Sequence, residues 1–141
     1  MLSLNTTFFM TVFLTLNTTI FTVADPILSL KLSDDELLLT IEDEQRDRSI
    51  PIKIYLPDEK KPVPVILFSH GLGGSRLNNS YLGTYWAENG YLGVFMQHPG
   101  SDADILKSSK LGQRFTALKS AANLENSRAR VQDVRSVIDQ L

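Results

Sequence analysis

Four apolar residues in a row without alternation, Val65-Ile66-Leu67-Phe68, run directly into Ser69-His70-Gly71-Leu72-Gly73-Gly74. A continuous apolar run of this length reads as a strand buried on both faces, and such a strand is expected in the middle of a sheet. The glycines that follow make a tight loop. After it, Tyr81, Leu82, Tyr85 and Trp86 recur at close to helical spacing, which predicts a helix over about residues 79–89 with Gly90 at its C-terminal cap. A second apolar run, Tyr91 to Met96, then returns as a strand. Strand, loop, helix and strand in so short a stretch make a βαβ unit, so the sheet must be at least partly parallel.

Upstream, Leu37–Ile41 and Ile50–Leu56 read as two strands of a hairpin joined by the polar stretch Glu42–Ser49. In the second, Ile50, Ile52, Ile54 and Leu56 alternate with Pro51, Lys53 and Tyr55, the pattern of a half-buried antiparallel strand. Pro51 cannot donate a ladder hydrogen bond and is expected at an edge or a strand start. Downstream, residues 102–122 are polar and loosely patterned, and read as loop with at most one short helix. Asn123 can cap a last helix in which Leu124, Val131, Val134, Val137, Ile138 and Leu141 share one face, expected against the sheet, while Arg128, Gln132, Arg135 and Asp139 share the other. The fold class expected is α/β, an antiparallel hairpin followed by a βαβ unit of a mainly parallel sheet.

Met1–Ala24 contains no charged side chain and is built around Phe8, Phe9, Met10, Val12, Phe13 and Leu14. Asn17-Thr18-Thr19 limits the apolar run to about the length of a signal-peptide core, and Thr22-Val23-Ala24 offers small residues for cleavage. Residues 1–24 are read as an export signal, with an uncleaved membrane anchor as the alternative, and residues 25–141 as one domain. No repeat or Gly/Ser linker divides that domain.

Composition removes several function classes. With 14 Lys and Arg against 16 Asp and Glu the chain carries a net charge of -2, so it lacks the basic surface that binding to phosphates needs, and nucleic acid is not an expected partner. The absence of cysteine rules out disulfides, thiol nucleophiles and cysteine zinc sites, and two histidines cannot make a zinc site unaided. No cofactor or metal is implied. The loop is no dinucleotide fingerprint, because Arg76 stands where a third glycine is needed, and no P-loop signature exists.

What remains is the loop itself. Glycines directly after a buried strand and before a helix let backbone N–H groups turn toward a bound anion. Acyl transfer develops such an anion, and one donor fixed in advance lowers the barrier by about 3 kcal/mol. Gly71 and Gly73 are the substrate-binding candidates in the loop, joined by His98, which leaves the second parallel strand where α/β sheets bind ligands. Asp102 and Asp104 could pair as acid and base, but in a polar loop they read as solvated residues.

Ile66 to Gly74 (ILFSHGLGG), Trp86-Ala87-Glu88-Asn89-Gly90, Gln97 to Asp102 (QHPGSD), the opening hairpin and the helix Arg128 to Leu141 resemble α/β-hydrolases of the dienelactone-hydrolase-like and platelet-activating-factor-acetylhydrolase-like kind. The resemblance covers about residues 37–141. It implies that the backbone N–H of Leu72 is an oxyanion-hole donor and that His70 is a structural loop residue. It further implies a small ester or acyl substrate.

The same resemblance implies a later strand, a G-x-S-x-G nucleophile elbow, an acid and a histidine, none of which follows here. Ser75 has glycine two residues before it but Leu77 two after, and reads as a helix-entry residue. The chain is therefore expected to be the N-terminal half of an exported serine hydrolase, without the catalytic serine, acid and histidine. The alternative is an exported, non-catalytic binding or remnant protein. Either way, an exposed sheet edge is expected to favour association.

Overall fold

The computed structural model describes residues 31–33, 35–58 and 61–141; the export signal expected over residues 1–24 lies outside them. The hairpin forms as its alternation requires. Strands β2 (Glu36–Asp43) and β3 (Arg48–Tyr55) pair antiparallel with Leu37 opposite Ile54, Leu39 opposite Ile52 and Ile41 opposite Ile50. A 3-10 turn over Glu44–Arg46 and a left-handed Asp47 close it. A short strand that the sequence reading did not foresee, β1 (Lys31–Ser33), adds to the outer side of β2. Pro51 sits inside β3, not at its start. In a strand the N–H and C=O of one residue point to the same side, and the Pro51 carbonyl accepts from Gln97 N at 2.8 Å. Its missing N–H therefore faces β5 beside Gln97, just past Ile52 where that ladder begins, so what is lost is a bond at the ladder's end and not one inside it.

The βαβ unit is present as β4 (Val65–Ser69), α1 (Ser80–Glu88) and β5 (Leu92–Met96), with β4 and β5 parallel and adjacent. The order of the five-stranded sheet is β1-β2-β3-β5-β4. Two expectations are corrected here. Among the described residues the sheet is mainly antiparallel, since only the β4 and β5 pair is parallel. And among these residues β4 is an edge strand while β5, buried from Gly93 to Met96, is interior. An apolar run reports that both faces of a strand are covered; it carries no information about its edges.

Parity in the strands decides the two layers. Leu39, Ile50, Ile52, Ile54, Val94 and Met96 form one apolar cluster, on which Val137 of helix α4 (Leu124–Ile138) packs. The opposite face carries Tyr55, Phe68 and Phe95, with Trp86 of α1 against them. Helix α1 meets that face through Leu82, Gly83, Trp86 and Ala87, whereas Tyr81 and Tyr85, expected in the same stripe, are exposed. Gly83 explains the close approach: a Cβ there would lie 2.3 Å from the Tyr55 ring. Because α1 covers β3 as well, Lys53 is buried too, paired with Glu36 at 3.0 Å.

Between β5 and α4 the chain is more ordered than its composition implied. Residues 102–122 hold α2 (Asp104–Ser108), a 3-10 turn at Leu111–Gln113 and α3 (Arg114–Ala121). The orientation of α4 also differs from its apolar periodicity. Val134 and Val137 face the sheet, but Leu124, Val131, Ile138 and Leu141 are exposed, and Asp133 is buried in their place. The helix is rotated so that its polar stripe Asn126, Arg130 and Asp133 turns inward. The partners described next are the reason.

Candidate functional site

Because β4 and β5 are parallel and in register, with Ser69 beside Met96, the loops that follow them emerge side by side. They are laced together. Gly73 N donates to Ser101 O at 2.9 Å, Ala103 N to Gly74 O at 2.7 Å, and Gln97 Nε2 to Asp102 Oδ2 at 2.8 Å. Gly73 holds φ at +74°, a conformation that a side chain would strain, and a Cβ there would lie 2.9 Å from Leu118 of α3. The turn is closed by Gly74 N to Gly71 O at 3.0 Å. Within it, the backbone N–H groups of Gly71 and Leu72 have no hydrogen-bond partner among the described residues. A Cβ on Gly71 would meet nothing within 4 Å, so the loop is open beside that residue.

Beneath the loop lies a polar cluster that follows from strand parity. Ser69 lies beside Met96 on the α4 side of the sheet, and His98, two residues past Met96, faces the same way. Asp133 reaches them from α4. His98 Nδ1 lies 2.9 Å from Asp133 Oδ2 and His98 Nε2 lies 2.9 Å from Ser69 Oγ. Arg48 holds the same carboxylate through both its oxygens, at 2.7 and 2.9 Å, and Arg46 adds a bond at 3.0 Å.

These contacts assign the protons. An ionised Asp133 only accepts, so His98 carries hydrogen on Nδ1, while its Nε2 and the Ser69 hydroxyl share a hydrogen bond. The His98 N–H donates to His70 Nε2 at 3.1 Å, so His70 carries its hydrogen on Nδ1 and donates to Gly71 O at 2.6 Å. Arg130 donates to the carbonyl of His70 and, at 3.1 Å, to Ser101 Oγ. Burial alone would raise the Asp133 carboxyl. Hydrogen bonds from His98 and Arg48, the charge of Arg48 and a hydrogen bond from Arg46 more than offset this and hold it well below the usual carboxylate range. Burial lowers His70, reinforced by the charges of Arg130 and His98 against the opposing hydrogen bond to Gly71, so its ring is neutral at neutral pH.

The residues singled out from sequence are brought to one end of the sheet. Gly71, Leu72 and Gly73 form the surface of the loop. His98 lies directly below, fully buried, with both ring nitrogens engaged, and reaches the surface only through Ser69. Asp102, read as solvated, is buried and bonded to Gln97; Asp104 is exposed and pairs with Lys107 at 2.7 Å. Ser75 bonds Asn78 in the turn before α1. Sequence reading missed Ser69, Asp133, Arg48 and Arg130. A signal was present: Asn126, Arg130, Asp133 and Val137 recur at helical spacing, a second stripe beside the apolar one.

A family model described as platelet-activating factor acetylhydrolase, isoform II, matches residues 44–132, well over half of the chain. This chain belongs to that family. The span matched to the platelet-activating factor acetylhydrolase family contains β3, β4, the glycine loop, α1, β5 and His98, and stops one residue short of Asp133. No curated protein matches the chain.

Proposed function

We propose that this chain builds half of the active site of an exported serine hydrolase for ester or related acyl bonds, on an α/β-hydrolase fold that starts near residue 25. The observation that carries the reading is the unpartnered N–H of Leu72, held in a braced loop at the end of a parallel strand in a member of an acetylhydrolase family. During acyl transfer a serine adds to the carbonyl carbon, a histidine takes the serine proton, and the carbonyl oxygen becomes an anion. The Leu72 N–H meets that anion, with Gly71 and Gly73 keeping the loop thin enough for the substrate to approach. The sequence contains no G-x-S-x-G. In this reading the nucleophile comes from sequence outside these 141 residues, on a strand added in parallel to the edge of β4 that has no partner strand among the described residues.

The test is kinetic, on the complete gene product with p-nitrophenyl acetate. Leu72→Ala keeps the backbone donor and is expected to leave kcat within about threefold, whereas Leu72→Pro removes it and is expected to lower kcat by about 10²–10³-fold with the melting temperature monitored alongside. Equal effects of the two variants, or no ester hydrolysis by the complete product, overturn the reading.

A further inference from the structure

At the end of the sheet opposite the glycine loop, where β3 finishes beside the start of β5 and α1 ends, lies an open cleft of about 630 Å³. Its charge is of one sign. Asp35, Glu36, Asp58 and Glu88 line it, and among the described residues no lysine or arginine does. Glu36 is matched by Lys53 at 3.0 Å, but Asp58 and Glu88 have no ion-pair partner among the described residues. Glu88 also stands in the last turn of α1, which holds no basic residue. The C-terminal end of a helix carries partial negative charge that a cation offsets, so a carboxylate there adds a second unmatched negative feature.

A buried hydroxyl points to a ligand independently of that charge. Tyr55 lines the same cleft, is 1% exposed, and its hydroxyl is the one buried side-chain polar atom without a hydrogen-bond partner among the described residues. The ring cannot swing to find one, because Phe95 meets it edge-on at 5.0 Å, Gly83 packs on its side and the Lys53 ammonium lies over it, 4.5 Å from the centroid. A hydroxyl fixed in this way is a cost to the fold unless something in the cleft bonds it.

We propose that the cleft binds a small organic polyamine, with one ammonium donating to the Tyr55 hydroxyl oxygen and the others meeting Asp58, Glu88 and the C-terminal end of α1. The geometry selects a chain of charges over a single ion. The carboxylates come from β2, from the exit of β3 and from α1, and no group of three among the described residues is close enough to hold a metal ion. A linear polyamine spans them, and its methylenes lie against Leu56 and Ala87, which line the cleft between the acids. This site shares no residue with the function proposed above and is separated by β5 from the edge of β4, so it stands or fails separately.

The test is isothermal titration of the full 141-residue chain with spermidine at low salt, where saturable one-to-one binding with Kd below about 1 mM is expected. Glu88→Gln and Asp58→Asn should each weaken it by about two- to fivefold, because these carboxylates are exposed and screened. Glu125→Gln, on α4, should change nothing. Tyr55→Phe should weaken binding by about fivefold and yet leave the melting temperature of the unliganded chain unchanged or raised, since it removes only an unsatisfied hydroxyl. A purely structural role for Tyr55 would not give that opposition. Titration without saturation overturns the proposal, as does equal weakening by Glu125→Gln or undiminished binding by Tyr55→Phe. So does magnesium chloride that competes as well as spermidine binds, which would assign the cleft to a metal ion.

Discussion

Where α1 covers the sheet, contact is made by rings: Phe68 stacks 4.6 Å from Phe95, Tyr55 meets Phe95 edge-on at 5.0 Å, and Trp86 closes over both phenylalanines. Where α4 covers it, only Val134 and Val137 pack, and the rest of the grip is polar, centred on one carboxylate shared by two arginines and a histidine and extended by Arg130 on the His70 carbonyl and Ser136 on Asp43. The aromatic face gains from area, with about 0.5–1.5 kcal/mol per ring pair beyond burial, and it tolerates small shifts. The polar face gains little over an apolar equivalent, yet it is intolerant of partial loss, because removing one partner leaves the others charged and buried. It is the intolerant face that carries the glycine loop.

The largest effect expected follows from that asymmetry. Asp133→Ala strands Arg48, Arg46 and His98, and should cost about 3–5 kcal/mol in urea unfolding, toward the lower end because both arginines can turn to solvent. A cost below about 1 kcal/mol would mean that the shared carboxylate does little to hold α4 and that the comparison between faces fails.

The aromatic face is broken by adding volume instead of removing charge. Gly83→Ala puts a methyl against the Tyr55 ring, where neither helix nor strand can give, and should destabilise by about 1–3 kcal/mol. Tyr55→Leu frees that space, so a double-mutant cycle should return a coupling of about 0.5 kcal/mol or more. Strict additivity would show that α1 does not sit on Tyr55 as closely as described.

The same contrast explains what the sequence disclosed. The hairpin, the βαβ unit and the glycine loop were legible because each is written in neighbouring residues: the period-two isoleucines, the two apolar runs, the glycines between strand and helix. The rotation of α4 was not, since apolar periodicity pointed Val131 and Ile138 inward, and only the distant Arg48 and His98 account for Asp133 taking their place. The edge position of β4 was hidden for a related reason, because lateral order depends on where β5 inserts. At the site, the loop and His98 were found locally, while Ser69 and Asp133 acquire meaning only when residues 29 and 35 positions away from His98 are brought to it.

The smallest effect expected concerns pH, and it separates the two faces because the titrating groups lie on the polar one. Burial of His70, with Arg130 and His98 nearby, lowers its affinity for a proton in the folded chain. In the unfolded chain it titrates near the ordinary value of about 6.5. As pH falls below that value the unfolded state takes up the proton first, so stability is full above it and declines toward the lower folded value. Asp133 acts in a separate window: its folded value is depressed, so its contribution is intact above the ordinary carboxylate range and is lost only in stronger acid. Urea midpoints measured at about pH 8, 7, 6 and 5 should therefore be level at first and then fall. In His70→Gln, whose amide can still accept from His98 N–H and donate to Gly71 O but does not titrate, the decline should be reduced. An unchanged slope in that variant would place the acid sensitivity elsewhere and remove His70 as the neutral support of the loop.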